Sequence, residues 1–414
     1  MNASGIRLLL HLPEFPDEPE NEPARFLFTV GELCATLGFE VHAIATSAAA
    51  FGRRFDMQTW CREFAISPSV SRGSGPSRAT AEFEFVHRAV RYRVLESQPD
   101  DGIGDHCFRK FESVFEDELA GFKPDLVLTC DLDHRLLERY ARARRQGARV
   151  VLCLLNTMHI RRLNYLLFEM DAVVTPSRFL TVSYRTYLEL TTVDLPTPIA
   201  PFDTVAERRD PLFFTMFNPS PKRGLPFFAQ LAEQLGVRRP DIPLLVVESS
   251  KSAGSLARFG LAGGFDLRRH ESIRVSPTGW RRSHIYGATR VLLAPYLFGL
   301  EGLGASVAEA LANGIPPIAS NRGALPEICN GGGCCLPIPS AITAVFPVPV
   351  EPSAVEPWVE LISRLADDPS FYRAESERAA AAGARYRPDL VARQYGDFLS
   401  CVLTSPPSVK GDLA

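Results

Sequence analysis

The chain reads as an α/β protein made of two Rossmann-like domains that face each other across a cleft. Three observations predict this. Short apolar runs alternate with helical patterns over residues 7–188 and again over 212–319, and a β-α-β order calls for parallel sheets. A proline-rich stretch of weak periodicity, Val193 to Asp203, separates the two series. The 414 residues, 46 % hydrophobic and 22 % charged, suffice for two cores and exclude a disordered, collagenous or coiled-coil chain.

The elements follow in order. Arg7 to Leu12 is an apolar run bounded by Pro13, which suits a buried strand. Pro13 to Pro23 is rich in proline and acid, hence a loop. From Ala24 to Leu37, Phe26, Val30, Leu33 and Leu37 recur at helical spacing and Gly38 stops the helix. Phe39 to Ala45 is a second strand. Ser67 to Thr80, rich in Ser, Gly, Pro and Arg, reads as a surface loop. Helices follow at 108–119, 133–146 and 177–188, with strands at 125–129, 149–155 and 172–175. Beyond the linker, strands are expected at 212–216, 244–248, 290–294 and 316–319. The helices of this half lie at 225–235, from 280, and at 305–312. The end of the chain, 358–366 and 371–402, is helical with a kink at Arg387-Pro388. These readings place a first domain at 1–195, a second at 204–386 and a frayed tail at 404–414.

The net charge of −3 and pI near 6.3 give no global field toward nucleic acid or an anionic membrane. Arginines 142, 144, 145, 161 and 162 form local basic patches, which read first as a solvated helix face and second as a peripheral contact with an anionic acceptor or membrane. The nine cysteines are scattered without CxxC or zinc spacing, the usage of reduced thiols in a cytoplasmic protein. No apolar run approaches the ~20 residues of a membrane span. Asp131-Leu-Asp133 has the letters of a metal-binding Asp-x-Asp, but its place after a first-domain strand fits a helix cap.

In such sheets ligands sit at the carboxyl ends of the strands, and the most informative stretch is Ala294 to Gly314. A strand ends at Pro295, a glycine-containing turn follows, and a helix begins near Gly304. Helix N-termini carry unpaired N–H groups and partial positive charge, which suit phosphate. Gly302 and Gly304 let the backbone approach a diphosphate closely. Glu309 falls about a turn and a half into the helix and Glu301 lies on the preceding loop, so one carboxylate can face a nucleoside and the other a sugar. Pattern alone leaves dehydrogenases, periplasmic-type binders and sugar transferases open.

The stretch resembles the E-x7-E signature of retaining glycosyltransferases of the GT-B fold, the "group 1" family. The resemblance continues through Ile315 to Glu327, similar to the family's G-x-P-V-V-A-S-x-x-G-G-x-x-E. Phe214 to Gly224 resembles the family's strand–loop–helix entry into the second domain, where a basic residue before the glycine binds the donor diphosphate. Arg223 holds that position, with Lys222 before it. A second arginine common in the family is replaced by Asn218, and Lys222 or Lys251 is the candidate substitute. Weaker matches are Met170 to Leu180 and Trp280 to Tyr296; Thr289 and Tyr296 stand where alanine and serine are usual. The first domain departs from the family, with Pro13 to Pro19 in place of a glycine-rich loop; in the second, Leu303 stands for a phenylalanine and Ala305 for a larger residue.

The resemblance implies the GT-B fold, with a C-terminal helix over about 387–403 crossing back onto the first domain. It implies transfer of a sugar from a nucleotide-diphosphate donor to an acceptor hydroxyl with retention. The first domain would bind the acceptor (a glycan, a lipid-linked or a small molecule) and the second the donor. No cofactor or metal is expected. Glu301 and Arg223 would be catalytic, with Glu309, Lys222, Gly302, Leu303, Gly304, Ala305, Ser306 and Asn218 around the donor. His11 and His159 are the acceptor-side candidates. Two other readings are a non-catalytic nucleotide-sugar-binding or partner subunit on the same fold, and a nucleotide-sugar epimerase.

Overall fold

The computed structural model describes residues 5–12, 15, 22–47, 56–72, 81–96, 105–130, 132, 137–160, 167, 169–200, 206, 208–248, 254–262, 266–276, 281–297, 302–344 and 349–405. The first domain is built on strands β1 (Arg7–His11), β2 (Glu40–Thr46), β3 (Ser69–Arg72), β4 (Ala81–His87), β5 (Val90–Leu95), β6 (Leu126–Thr129), β7 (Arg149–Cys153), β8 (Ala172–Thr175) and β9 (Val193–Asp194). They form one sheet in the order β3-β4-β5-β2-β1-β6-β7-β8-β9. The β3–β4 and β4–β5 pairs are antiparallel and the rest parallel. Leu8, Leu9 and Leu10 of β1 are all fully buried, as expected of a central parallel strand covered on both faces. Helices α1 (Glu22–Thr36), α2 (Met57–Glu63), α3 (Asp105–Gly121), α4 (Leu137–Arg145) and α5 (Arg178–Leu188) lie between these strands.

The second sheet, β12 (Ile273–Val275), β11 (Leu244–Val247), β10 (Phe213–Phe217), β13 (Thr289–Ala294), β14 (Pro317–Ser320) and β15 (Cys334–Leu336), is parallel throughout in that spatial order. Its helices are α6 (Leu225–Arg238), α7 (Ser255–Ala262), α8 (Arg282–Ala288), α9 (Ala305–Ala312), α10 (Leu325–Cys329), α11 (Pro352–Asp367) and α12 (Pro369–Gly383). Trp358 of α11 is fully buried against Phe227 of α6. At Arg387-Pro388 the expected kink is a break between helices. A new helix, α13 (Pro388–Thr404), starts at Pro388 and lays Val391, Tyr395, Leu399 and Val402 into the first domain's core. Tyr395 meets Phe26 of α1 edge-on, so the chain does cross back. The predicted tail lies outside the described residues from 406 on.

Three expectations are corrected. The tract Ser67–Thr80 is not all loop: Ser69–Arg72 is an edge strand, mostly exposed and held by the β4 ladder rather than by burial. The β4–β5 hairpin was not anticipated, although Ala81–His87 has apolar Phe83 and Phe85 in alternation. Its two-residue turn, Arg88-Ala89, takes left-handed φ values of 48° and 63° without the Asn-Gly or Asp-Gly pair that advertises such turns. The proline-rich linker is a packed segment: it begins with β9, and Leu195 and Ile199 are buried.

Candidate active site

Strand order in the second sheet reverses at β10, which lies between β11 and β13. The loops leaving β10 and β13 therefore open a crevice at the carboxyl edge, the usual ligand position in open α/β sheets. The first loop carries Asn218, Lys222, Arg223 and Gly224, the second Tyr296 and Gly302 to Gly304. They are stitched together where the Leu297 N–H donates to the Lys222 carbonyl (3.0 Å). Gly224 caps α6 at φ 86° against the Pro295 carbonyl. Gly304 caps α9 at φ 49° with no side-chain capping bond. The first-turn amides of α9, at Ala305 and Ser306, have no helical acceptor by geometry.

Arg223 donates to the Tyr296 hydroxyl (3.2 Å), with its guanidinium over the Tyr296 ring at 5.3 Å. That hydroxyl also bonds Ser306 Oγ at 2.6 Å. Tyr296 thus joins the cation to the first turn of α9. Lys222 is exposed beside them. Asn218, buried at φ 49°, has no hydrogen-bond partner for Oδ1 among the described residues.

Glu309, only 3 % exposed, sits in a cage. Its Oε2 accepts from Arg282 and from the Tyr286 hydroxyl (2.6 Å), both on α8, and its Oε1 from Arg25 of α1 (2.8 Å). Arg282 also lies over the Phe217 ring at 4.9 Å. Burial alone would raise the Glu309 pKa, but the two arginines and the tyrosine push it down to about 2. Arg223 in turn is paired with Glu22 of α1. Glu22, Arg25, Thr29, Thr197, Leu303 and Glu309 are among the groups that line one small cavity between the domains, of about 20 Å³.

Other contacts fix the domains to each other. Leu303 inserts into the first domain's core, and its carbonyl accepts from Thr197 Oγ1 (2.9 Å). Gly302 abuts Leu180 of α5 so closely that a Cβ would overlap it. Glu327 accepts from the Arg178 and Phe179 amides, both at 2.8 Å, capping α5 from the other domain where Ser177 makes no side-chain cap. Glu327→Ala is expected to remove about 1 kcal/mol, the usual worth of a cap. Hydrogen exchange at those two amides should then accelerate about fivefold.

On the first-domain side, His11 ends β1 and is enclosed. Its Nε2 accepts from Arg139 (2.7 Å), Nδ1 lies 3.4 Å from both the Thr129 and Tyr140 hydroxyls, and Phe111 and Phe115 pack on the ring. Burial and the Arg139 charge hold its pKa well below the usual histidine value, so it is neutral at pH 7. His159 is half-exposed in a 3-10 turn after β7; the two histidines are not brought together. Glu301, Lys251, Trp280, Asp131, Asp133, Arg161 and Arg162 lie outside the described residues. Arg142 pairs with Glu116 and Glu138, and Arg144 with Glu169 and Asp171, the solvated-face arrangement. Among the described residues, no group of three or more His, Cys, Asp or Glu is placed to hold a metal ion, and no helix is long and apolar enough to cross a membrane.

Sequence reasoning singled out Arg223, Glu309 and the α9 turn, which lie at this crevice, but not Glu22, Arg25, Arg282 and Tyr286, which contact them. Arg282 and Tyr286 stand at i, i+4 spacing on one helix face, a signal visible in retrospect. Nothing local marks Glu22 or Arg25, because their partners are some 200 and 284 residues away.

Two Rossmann-like sheets, a crevice at their facing edges and a last helix returning to the first domain define the GT-B glycosyltransferase architecture. Residues 211–368, the bulk of the second domain, match the family model described as Glycosyl transferases group 1. No curated protein matches by sequence. Solved structures agree in fold. Sucrose-phosphate synthase from Thermosynechococcus elongatus has TM-score 0.67 and 15 % identity, covering 97 % of this chain and 100 % of its own. HepE from Anabaena, in complex with UDP and glucose, has TM-score 0.64 and 13 % identity, covering 95 % and 99 %. The catalytic domain of Starch Synthase IV from Arabidopsis thaliana, bound to ADP and acarbose, has TM-score 0.65 and 12 % identity, covering 97 % and 100 %.

Proposed function

We propose that this chain is a retaining, metal-independent glycosyltransferase that moves a sugar from a nucleotide-diphosphate donor to an acceptor hydroxyl. One observation carries the reading: the β10 and β13 loops bring a helix N-terminus, Arg223 and the ionised Glu309 to one crevice at the switch point. The nucleotides in the HepE and starch synthase structures support a nucleoside diphosphate as the bound moiety.

In the transfer, the bond from the anomeric carbon to the diphosphate oxygen breaks and a bond to the acceptor oxygen forms. The acceptor proton passes to the departing phosphate. Charge grows on the diphosphate, where Arg223, with Lys222 beside it, and the Ala305 and Ser306 amides stabilise it without reorganising. Glu309 accepts from the ribose hydroxyls, and Glu301 orients the sugar hydroxyls and offsets the cationic ring. On the acceptor side, His159 is the histidine with surface to offer, while His11 supports the end of β1.

The test is a panel of UDP-, GDP-, ADP- and dTDP-sugars, with and without EDTA, followed by nucleotide release and by NMR of the product anomer. Release that survives EDTA and retains the anomer is expected. Binding without release under any acceptor mixture would favour a non-catalytic partner subunit, and no response to any nucleotide would overturn the reading. Within an active enzyme, Tyr296→Phe keeps the ring under Arg223 and deletes the hydroxyl. A hydrogen bond to a charged group is worth about 1.5 kcal/mol, so donor KM should rise about tenfold with little change in Tm.

A further inference from the structure

We propose that the first turn of α1 is an internal competitor for the donor: Glu22 holds on Arg223 the place of the diphosphate, and Arg25 holds on Glu309 the place of the ribose. The inference rests on the donor reading above. Glu22 and Arg25 stand three apart and share one face of α1. Each crosses the cleft to the group of opposite charge that the donor itself would engage. The helix dipole accounts for an acid in a first turn. It does not account for that acid reaching across to Arg223, a cation placed ahead of α6, where a positive charge beside a helix N-terminus calls for an anion.

The space beside Glu309 agrees with this. Ligand sites run to roughly 300–1,000 Å³, whereas the cavity between Glu22, Arg25, Leu303, Ala305 and Glu309 measures about 20 Å³, room for a water. A nucleotide-sugar enters only when the turn withdraws. Arg223 and Glu309 both face the first domain, and the turn adds a counter-charge to each: Glu22 to Arg223, and Arg25 to a Glu309 that Arg282 already pairs. A diphosphate, carrying more charge than one carboxylate, displaces it. Measured donor affinity is therefore the intrinsic affinity reduced by the fraction of molecules with the turn withdrawn.

Two measurements test this. Calorimetric titration of the full chain with UDP, ADP, GDP and dTDP should show Glu22→Gln binding its nucleotide about tenfold tighter than the unaltered protein. Equal or weaker binding by Glu22→Gln, with the unaltered protein still binding, overturns the competitor and leaves the donor reading standing. Failure of both proteins to bind any of the four overturns the donor reading and the competitor with it. The second measurement needs no variant. Hydrogen exchange of the unaltered protein should accelerate over residues 22–28 on nucleotide binding while it slows in α9. Unchanged or slowed exchange over 22–28 in the nucleotide complex overturns the proposal.

Discussion

Glu309→Gln should destabilise the folded chain by about 3–5 kcal/mol, the range for breaking a buried ion pair by removing one partner. Arg282, its side chain 12 % exposed, lies in the second domain against Phe217 and Tyr286, so the amide would leave it with no carboxylate in contact among the described residues. The pH dependence makes the effect specific. Burial works against the Glu309 charge, but Arg282, Arg25 and Tyr286 hold its pKa at about 2 against an ordinary 4.5. A carboxyl depressed on folding contributes stability that is fully present above its unfolded value and is lost as pH falls through its folded one. The contribution is about 3 kcal/mol at neutral pH, and it fades between pH 4.5 and 2. Urea midpoints measured across that window should fall more steeply for the unaltered protein than for Glu309→Gln. Parallel curves would show that the cage does not hold the carboxylate ionised. Because Glu309 is also the proposed ribose acceptor, nucleotide binding should be lost in the same variant.

Gly224→Ala should be as damaging, for a reason of backbone geometry. Gly224 adopts φ 86°, a region L-residues rarely enter. A Cβ there would overlap the Pro295 carbonyl oxygen and come within 2.7 Å of its carbon. Neither obstacle is a side chain that can rotate away. The loops after β10 and β13 would have to separate, breaking the Leu297-to-Lys222 hydrogen bond and drawing Arg223 off Tyr296. A loss of at least 3 kcal/mol is expected, read as a lower urea midpoint, and whatever folds should bind nucleotide at least 100-fold more weakly. A variant with unchanged midpoint and affinity would mean that the loops yield without consequence.

Several features were legible because they are local. The apolar run at β1, the helical spacing of α1, the α9 boundaries and a change of helix direction at Arg387-Pro388 follow from residues within a few positions of each other. The β4–β5 turn escaped because its left-handed residues, Arg88 and Ala89, lack the usual chemistry and are imposed by the strands on either side. The packed course of 193–200 escaped because proline content marks irregular backbone, whether exposed or buried.

The amino-acid sequence by itself determined the two α/β halves, the glycines that let two loops meet, and the identity of Arg223 and Glu309 as the charged groups of the crevice. Periodicity and turn chemistry act over short separations, so they survive in the linear pattern. Only the tertiary structure decided what those charges pair with. Glu309 could have been a solvated carboxylate; Arg282 and Tyr286 from α8 and Arg25 from the other domain make it a buried, ionised one. Arg223 could have faced water; α1 brings Glu22 to it. Electrostatic pairing depends on distance in space and on the removal of water, and neither quantity is written in the spacing of residues along the chain.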